Sequence, residues 1–314
     1  NNKLGHTIMI SIKQLNYALA VEKTLHFKQA AEISNISQSA LSTALHELEK
    51  QLGLQIFERD NKKVLITPVG KQVLDKARTI MLHVDDLEHL ADSQRLPLSF
   101  PLTIGVIPTI CPFLLPKVLP VLNELHPQTK LNIVEEQSHV LVEMVRRGDL
   151  DAAILALPYP VEGLLSMEFW QEDFYWVAPK DNPLTQQEAI HSKTLNHCEL
   201  MLLKDGHCLK DHILEACKLP EQAANQGFGA TSLNTLVQMV IGKLGTTLIP
   251  EMAIEQLIAQ NEELAAVHLS DPGPHRRIAF VLRPNYTRMS SIEALIAVCK
   301  SALACDKTAR LKHS

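Results

Sequence analysis

The segment Gly206-His207-Cys208-Leu209-Lys210-Asp211 sets a cysteine beside a histidine, and a second cysteine follows nine residues later at Cys217. Two thiols can be oxidised to a disulfide, but the chain between these two opposes it. Leu209 to Leu214 contains neither Gly nor Pro and reads as helix. Nine helical residues separate two Cα atoms by roughly 13 Å, whereas a disulfide needs them within about 7 Å. The pair can bridge only if the intervening segment refolds, which would make it a switch. Spacing alone leaves a second reading open, that of two unrelated buried cysteines, because free Cys is among the most buried residue types.

Bulk properties bound the setting. Asn1 to Ile8 lacks the apolar core and small-residue cleavage site of an export signal, and reads as a remnant ahead of a natural start at Met9. No apolar run reaches the length of a membrane span, so no membrane partner is expected. A cytoplasmic location follows as the expectation, and there disulfides are usually transient and sensory or catalytic. The six cysteines include no CxxC pair, so neither a metal nor another cofactor is expected; Cys111, Cys198, Cys299 and Cys305 read as ordinary cysteines. The net charge of −5 is unevenly spread. Residues 1–78 hold 11 Lys and Arg against 7 Asp and Glu, and the remainder hold 19 against 28. A basic N-terminal segment on an acidic body suggests a nucleic-acid reader attached to something else.

The elements of that basic segment support this. Ile12 to Lys23 carries Leu15, Ala18, Leu19 and Val21 largely on one helical face, Phe27 to Ile33 is a second short helix, and Ser34 to Ile36 is a turn. Ser37 is placed to cap a third helix that Gly53 ends. Ala40, Leu41, Ala44, Leu45 and Leu48 form its apolar stripe, which turns Gln38, Ser39, Ser42, Thr43 and His46 outward. Short hydrogen-bonding side chains on the first turns of the second helix of such a pair suit reading of a DNA major groove. Gln38, Ser39, Ser42 and Thr43 are therefore the expected base readers. Phe57 to Pro68 reads as two strands around a charged turn, a wing; Arg59, Lys62, Lys63 and, on the second helix, Lys28 are the expected phosphate contacts.

From Thr67 to about Ser93 a single long helix is expected. Val73, Ala77, Ile80, Val84, Leu87 and Ala91 recur at alternating spacings of four and three, the seam of a coiled coil and hence of a dimer. Leu96 to Pro101 ends the helix as a hinge. Beyond it strands and helices alternate. Strands are expected at Leu102–Ile107, Leu131–Glu135, Ala152–Ala156, Phe174–Ala178, Leu200–Leu203, Thr246–Ile249 and Arg277–Arg283. Helices are expected at Leu114–His126, Val140–Arg147, Ser232–Lys243 and Ser290–Ala304. This is an α/β pattern with largely parallel sheets.

Phe27-Lys28-Gln29-Ala30-Ala31, Ser37-Gln38-Ser39-Ala40-Leu41-Ser42, Leu48-Glu49-Lys50-Gln51-Leu52-Gly53, Phe57-Glu58-Arg59 and Thr67-Pro68-Val69-Gly70 together resemble the winged helix-turn-helix of LysR-type transcriptional regulators. Ser39 departs from the Pro frequent in that family, and Thr43 from a frequent basic residue. The resemblance implies a winged helix-turn-helix over 9–66, a dimerisation helix over 67–95 and an effector domain over 96–314. That domain would be two-lobed and similar to periplasmic binding proteins, with lobe I at about 101–172 and 274–314 and lobe II at about 173–273. It further implies a homodimer, assembling to a homotetramer, on a split near-palindromic operator in double-stranded DNA, with RNA polymerase as a further partner.

Ile104 to Thr109, Leu114-Leu115-Pro116, Asp205 to Leu209 with Cys217, and Ala230 to Leu233 resemble the peroxide-sensing branch of the same family. By that resemblance Cys208 is the cysteine oxidised by hydrogen peroxide and Cys217 the one that closes an intramolecular disulfide. Thr109, Ser138, His207 and Arg276 would line the peroxide site with Cys208. Ser138 replaces a usual Thr and keeps the hydroxyl; Lys210 stands where Arg is common. The chemistry is consistent, since hydroxyls and imidazole can hold a small neutral peroxide, and a helix start with nearby cations favours the reactive thiolate. The implied function is a redox-responsive transcription factor for oxidative-stress genes. A regulator that binds a metabolite between the lobes, and a thiol peroxidase, are the competing readings.

Overall fold

The computed structural model describes residues 10–60, 63–90, 97–195, 200–204, 206–218 and 230–310, and the side chains of all these except 59, 60, 63, 88–90 and 305–310. The chain divides into two units, 1–92 and 93–314.

In the first unit, α1 (Ile12–Thr24) starts from a reciprocal cap. Ser11 Oγ accepts the Gln14 N–H at 3.2 Å, and Gln14 Oε1 accepts the Ser11 N–H at 2.8 Å. After α2 (Phe27–Ile33), Ser37 Oγ accepts the Ala40 N–H to begin α3 (Gln38–Leu52), and Gly53 ends it at φ +67°. Leu41, Leu45 and Leu48 bury in one core with Leu15, Ala18, Val21, Ala30 and Ala31. Ala40 is exposed and Ala44 half-buried, so the expected stripe is narrower. The leucines remove more apolar area from water and set the rotation of the helix. Glu49 Oε1 accepts the N–H groups of Ile56 at 2.8 Å and Phe57 at 3.1 Å, fastening the antiparallel hairpin of β1 (Phe57–Asp60) and β2 (Lys63–Ile66) to the end of α3.

Thr67 Oγ1 accepts the Gly70 N–H and donates to Gln55 O, starting α4 (Pro68–Leu90). A Cβ at position 70 would lie 2.2 Å from Ile56 O, so only glycine fits there. Along α4, Leu74 and Ala77 bury in the unit's own core and Val73 and Val84 are half-buried. Ile80 and Leu87 are 45% and 67% exposed, which leaves part of the repeat uncovered in a single chain. Ala91 lies outside the described residues.

The second unit holds two sheets. Its elements are β3 (Leu102–Val106), α5 (Cys111–Leu125), β4 (Leu131–Glu135), α6 (Ser138–Arg147), β5 (Ala152–Leu157), β6 (Leu165–Glu172), β7 (Phe174–Pro179), β8 (Ala189–Ile190), α7 (Ser192–Leu195), α8 (Cys208–Ala216), α9 (Leu233–Ile241), β9 (Thr247–Pro250), α10 (Glu251–Leu257), β10 (Leu264–Leu269), β11 (Arg276–Leu282) and α11 (Met289–Arg310). The first sheet has the order β4-β3-β5-β11-β6 and the second β8-β10-β7-β9.

The expectation of largely parallel sheets needs correcting. β3 is parallel to β4 and β5, but β11 is antiparallel to β5 and β6, and the second sheet is parallel only at β8–β10. Parallel neighbours need a long crossover of the kind α5 and α6 provide, whereas β11 re-enters the first sheet from the second lobe and runs against its neighbours. Leu200–Leu203 makes single bridges to Thr246 and Ala230 and is not a strand. α5 begins at Cys111 with Pro112 in its first turn, where a missing N–H does no harm. α6 begins at Ser138 rather than Val140.

Two features position the site. The chain crosses between lobes at Glu172–Asp173 and again between β10 and β11, and these crossings lie side by side. Arg276 pairs with Glu172 in register, and the His275 N–H donates to Glu172 O at 3.2 Å. The segment expected as a hinge is fastened to the rest of the second unit. The Leu98 N–H donates to Ser291 Oγ at 3.0 Å, and Pro101 O accepts from Arg288 Nη1 at 2.8 Å.

Candidate functional site

The loops that follow β3 and precede α6 and α8 converge on one cavity. It is lined by Ile107, Pro108, Thr109, Gln137, Ser138, Gly206, His207 and Cys208 and has a volume of about 10 Å³. That is the scale of a single water-sized occupant and excludes a metabolite of many atoms. Cys208 is the first residue of α8 and Ser138 the first of α6, so the N-terminal ends of two helices bring partial positive charge to the cavity. Gly206, at φ +96°, lets the chain pass against Gln137; a Cβ there would meet Gln137 Oε1 at 2.8 Å.

Cys208 is 5% exposed. Burial pushes its thiol up from the ordinary value; the Ser138 hydroxyl and the Arg276 charge pull it down, and Asp211 adds to the rise. Sequence chemistry expects a depressed value. The difference has a physical cause: the sulfur has lost most of its hydration, and Arg276, the cation that acts on it, is already engaged. Arg276, fully buried, donates from Nε to Glu172 Oε1 at 2.8 Å, from Nη1 to Thr109 Oγ1 at 3.1 Å and from Nη2 to Thr109 O at 3.3 Å. Glu172 is itself buried and also accepts the Met252 N–H. Ser138 Oγ is buried with no partner of ordinary hydrogen-bond geometry, yet lies close enough to Cys208 to favour its thiolate. Burial lowers the pKa of His207, which keeps its imidazole neutral and able either to donate or to accept.

Cys217 caps the other end of α8, is 3% exposed, and has its thiol pushed up to about 12 by burial, with Asp271 adding to it. Both cysteines are free. Leu209, His212 and Ile213 bury, His212 to 2% exposure, whereas Leu214 is only half-buried. Cys111 starts α5 with its thiol raised to about 12 by burial and a Glu135 hydrogen bond, and burial alone raises Cys299 to about 12. Cys198 and the Cys305 side chain lie outside what is described.

Four of the five residues expected at the peroxide site, Thr109, Ser138, His207 and Cys208, therefore line one cavity. Arg276 stands behind Thr109 rather than in the lining. Sequence reasoning missed Gln137 and Glu172. Gln137, as the residue before α6, could have been found from its place beside Ser138. Glu172 carries no local signal, because only the β6–β11 register sets it opposite Arg276. Among the described residues no group of three or more His, Cys, Asp or Glu could hold a metal ion, and no helix is long and apolar enough to cross a membrane.

In the first unit, Gln38, Ser39 and Thr43 are exposed on the first turns of α3, Ser42 is half-buried, and Lys28 is exposed on α2. Ser39 Oγ lies 3.0 Å from Ser37 Oγ, and Thr43 Oγ1 donates to Ser39 O at 2.9 Å, leaving the Thr43 lone pairs free to accept. Lys62 and the side chains of Arg59 and Lys63 lie outside what is described.

Residues 12–71 match the family described as bacterial regulatory helix-turn-helix protein, lysR family, and residues 98–304 match the LysR substrate binding domain. A probable hydrogen peroxide-inducible genes activator from Streptomyces viridosporus is 37% identical over 93% of this chain and 94% of its own length. The HTH-type transcriptional regulator EstR of Acinetobacter baylyi is 36% identical over 94% and 97%. The solved structure of a cysteine-to-serine variant of Corynebacterium glutamicum OxyR with bound H2O2 superposes with a TM-score of 0.66 at 32% identity, covering 94% of this chain and 93% of that one.

Proposed function

This chain belongs to the LysR family of bacterial transcriptional regulators, and on that premise we propose that it senses hydrogen peroxide through Cys208 and reports the signal by refolding the segment up to Cys217. The observation that carries this is the cavity at the start of α8. A buried thiol, two hydroxyls and a neutral imidazole share a space too small for a metabolite. The likeness to a peroxide-inducible activator and to a peroxide-bound OxyR supports the same reading.

In the proposed reaction Thr109, Ser138 and His207 hold peroxide by hydrogen bonds, and the Cys208 sulfur attacks one oxygen in line with the O–O bond. Sulfur gains that oxygen as a sulfenic acid, and the other oxygen leaves as water after taking a proton. The sulfenic acid then condenses with the Cys217 thiol, forming S–S and releasing a second water. Because α8 separates the two sulfurs, condensation requires that helix to unwind and Leu209 and Ile213 to leave the core. Two discrete packings of one segment are the kind of element that can switch an assembly. The new packing would change how effector domains pair within a homodimer or homotetramer, and so how two DNA-binding domains sit on a split operator before RNA polymerase.

The test is to treat purified protein with a slight excess of peroxide and count thiols. A loss of two per chain, without continued peroxide consumption, is expected. Unchanged thiols would favour a reversible metabolite sensor, and sustained consumption a peroxidase.

A further inference from the structure

His212 lies one helical turn beyond Cys208 and is 2% exposed. Its Nε2 is 2.8 Å from the carbonyl oxygen of Pro158, in the loop between β5 and β6, and therefore donates to it. This bond ties α8, in the second lobe, to the first lobe. With the proton on Nε2, Nδ1 is a bare acceptor, and it is buried with no partner. Beside the ring lies a cleft of about 370 Å³ whose lining includes Glu215, His275, Arg276 and Arg277.

We propose that the His212–Pro158 bond is the latch that holds α8 in its reduced packing, and that protonation of His212 releases it, so that acid shifts the Cys208/Cys217 pair toward the disulfide. The proposal rests on the redox reading above and adds to it a second input, proton concentration.

The surroundings of the ring fix the sign. An imidazolium in the latched position would carry a buried Nδ1–H with no acceptor, close to the Arg276 charge; an unpaired buried donor of this kind is strongly disfavoured. The charged and titratable groups that share its cleft are Arg276 and Arg277 from β11, His275 from the second crossing and Glu215 from α8 itself. Arg277 is paired with Glu168, and Arg276 with Glu172. Burial, the larger cause, and the Arg276 charge hold His212 below its ordinary pKa; the Pro158 bond and Glu215 act the other way without reversing the direction. The latched state thus binds fewer protons than the released state. Its advantage is full above the ordinary value near 6.5 and declines as pH falls below it.

Equilibration with a fixed ratio of reduced to oxidised glutathione tests this cleanly. Closing the protein disulfide gives two electrons and two protons to oxidised glutathione, and all the thiols stay protonated below pH 7, so the exchange has no pH dependence of its own. Proton uptake by His212 on release should raise the oxidised-to-reduced ratio several-fold, with a ceiling of about eightfold, between pH 7 and pH 5.5. His212→Gln, whose amide N–H can reach Pro158, should keep the pH 7 ratio and lose most of the slope, leaving what His207, also held low by burial, contributes. His212→Asn, too short to reach, should show the same small slope and lie several-fold toward the disulfide at every pH. A flat wild-type ratio overturns the proposal whatever the variants do, as does a slope undiminished in His212→Gln. Equal ratios for Gln and Asn would remove the latch. No disulfide at any pH would instead overturn the redox reading, and this inference with it.

Discussion

Cys208 opens helix α8 and Cys217 caps its far end, so one unbroken helix both joins and separates them. Both are free and buried. This relationship makes disulfide formation and refolding a single event, and it orders what each substitution should do. After peroxide treatment the wild type should lose two thiols per chain, Cys217→Ser one, with the product trapped as a sulfenic acid, and Cys208→Ser none. Two thiols lost from Cys208→Ser would sink the assignment.

Burial that raises the Cys208 pKa implies a rate that climbs with pH. The thiolate fraction grows about tenfold per pH unit below the pKa, so peroxide oxidation measured by stopped flow should rise steadily from pH 6 to pH 8. Ser138→Ala and Arg276→Gln each remove a group that favours the thiolate. Each should slow oxidation at pH 7 about tenfold, the equivalent of roughly 1.4 kcal/mol. A profile already flat above pH 6 would mean that Cys208 is a preformed thiolate.

Glu172→Gln should act through stability as well as rate. It strands the Arg276 charge in a buried site, and breaking such a pair costs about 3–5 kcal/mol. Denaturant unfolding of the variant should show that loss. A loss below about 1 kcal/mol would mean the pair is solvated.

On DNA, Lys28→Ala and the double change of Lys62 and Lys63 to Ala should weaken binding to all sequences and flatten its salt dependence. Gln38→Ala should relax discrimination at particular base pairs, by about 1–3 kcal/mol each. Titrations over several salt concentrations separate the two. An altered base preference from the lysine changes alone would reverse the assigned roles.

Ile80 and Leu87 stay exposed on α4 while Leu74 and Ala77 bury beneath it. Leu87→Asp or Val84→Asp should therefore leave the chain folded but monomeric in sedimentation, with operator affinity lost. A dimer that persists in both would place the subunit interface elsewhere.

The sequence by itself determined whatever depends on neighbours along the chain. Ser37 and Gly53 bracket α3, and the alternation of elements in the effector unit follows from short-range periodicity. The cysteine pair and its helical spacer were legible for the same reason, since rise per residue is a local property. Strand direction was not, because it depends on which lobe the chain returns from, and β11 returns from the second. Nor were Glu172 and His212 legible as members of the site. Glu172 meets Arg276 across 104 positions of chain, and His212 meets Pro158 across 54. Only tertiary packing decided the protonation balance at Cys208, because desolvation depends on everything that surrounds the sulfur, and a sequence records only what lies on either side of it.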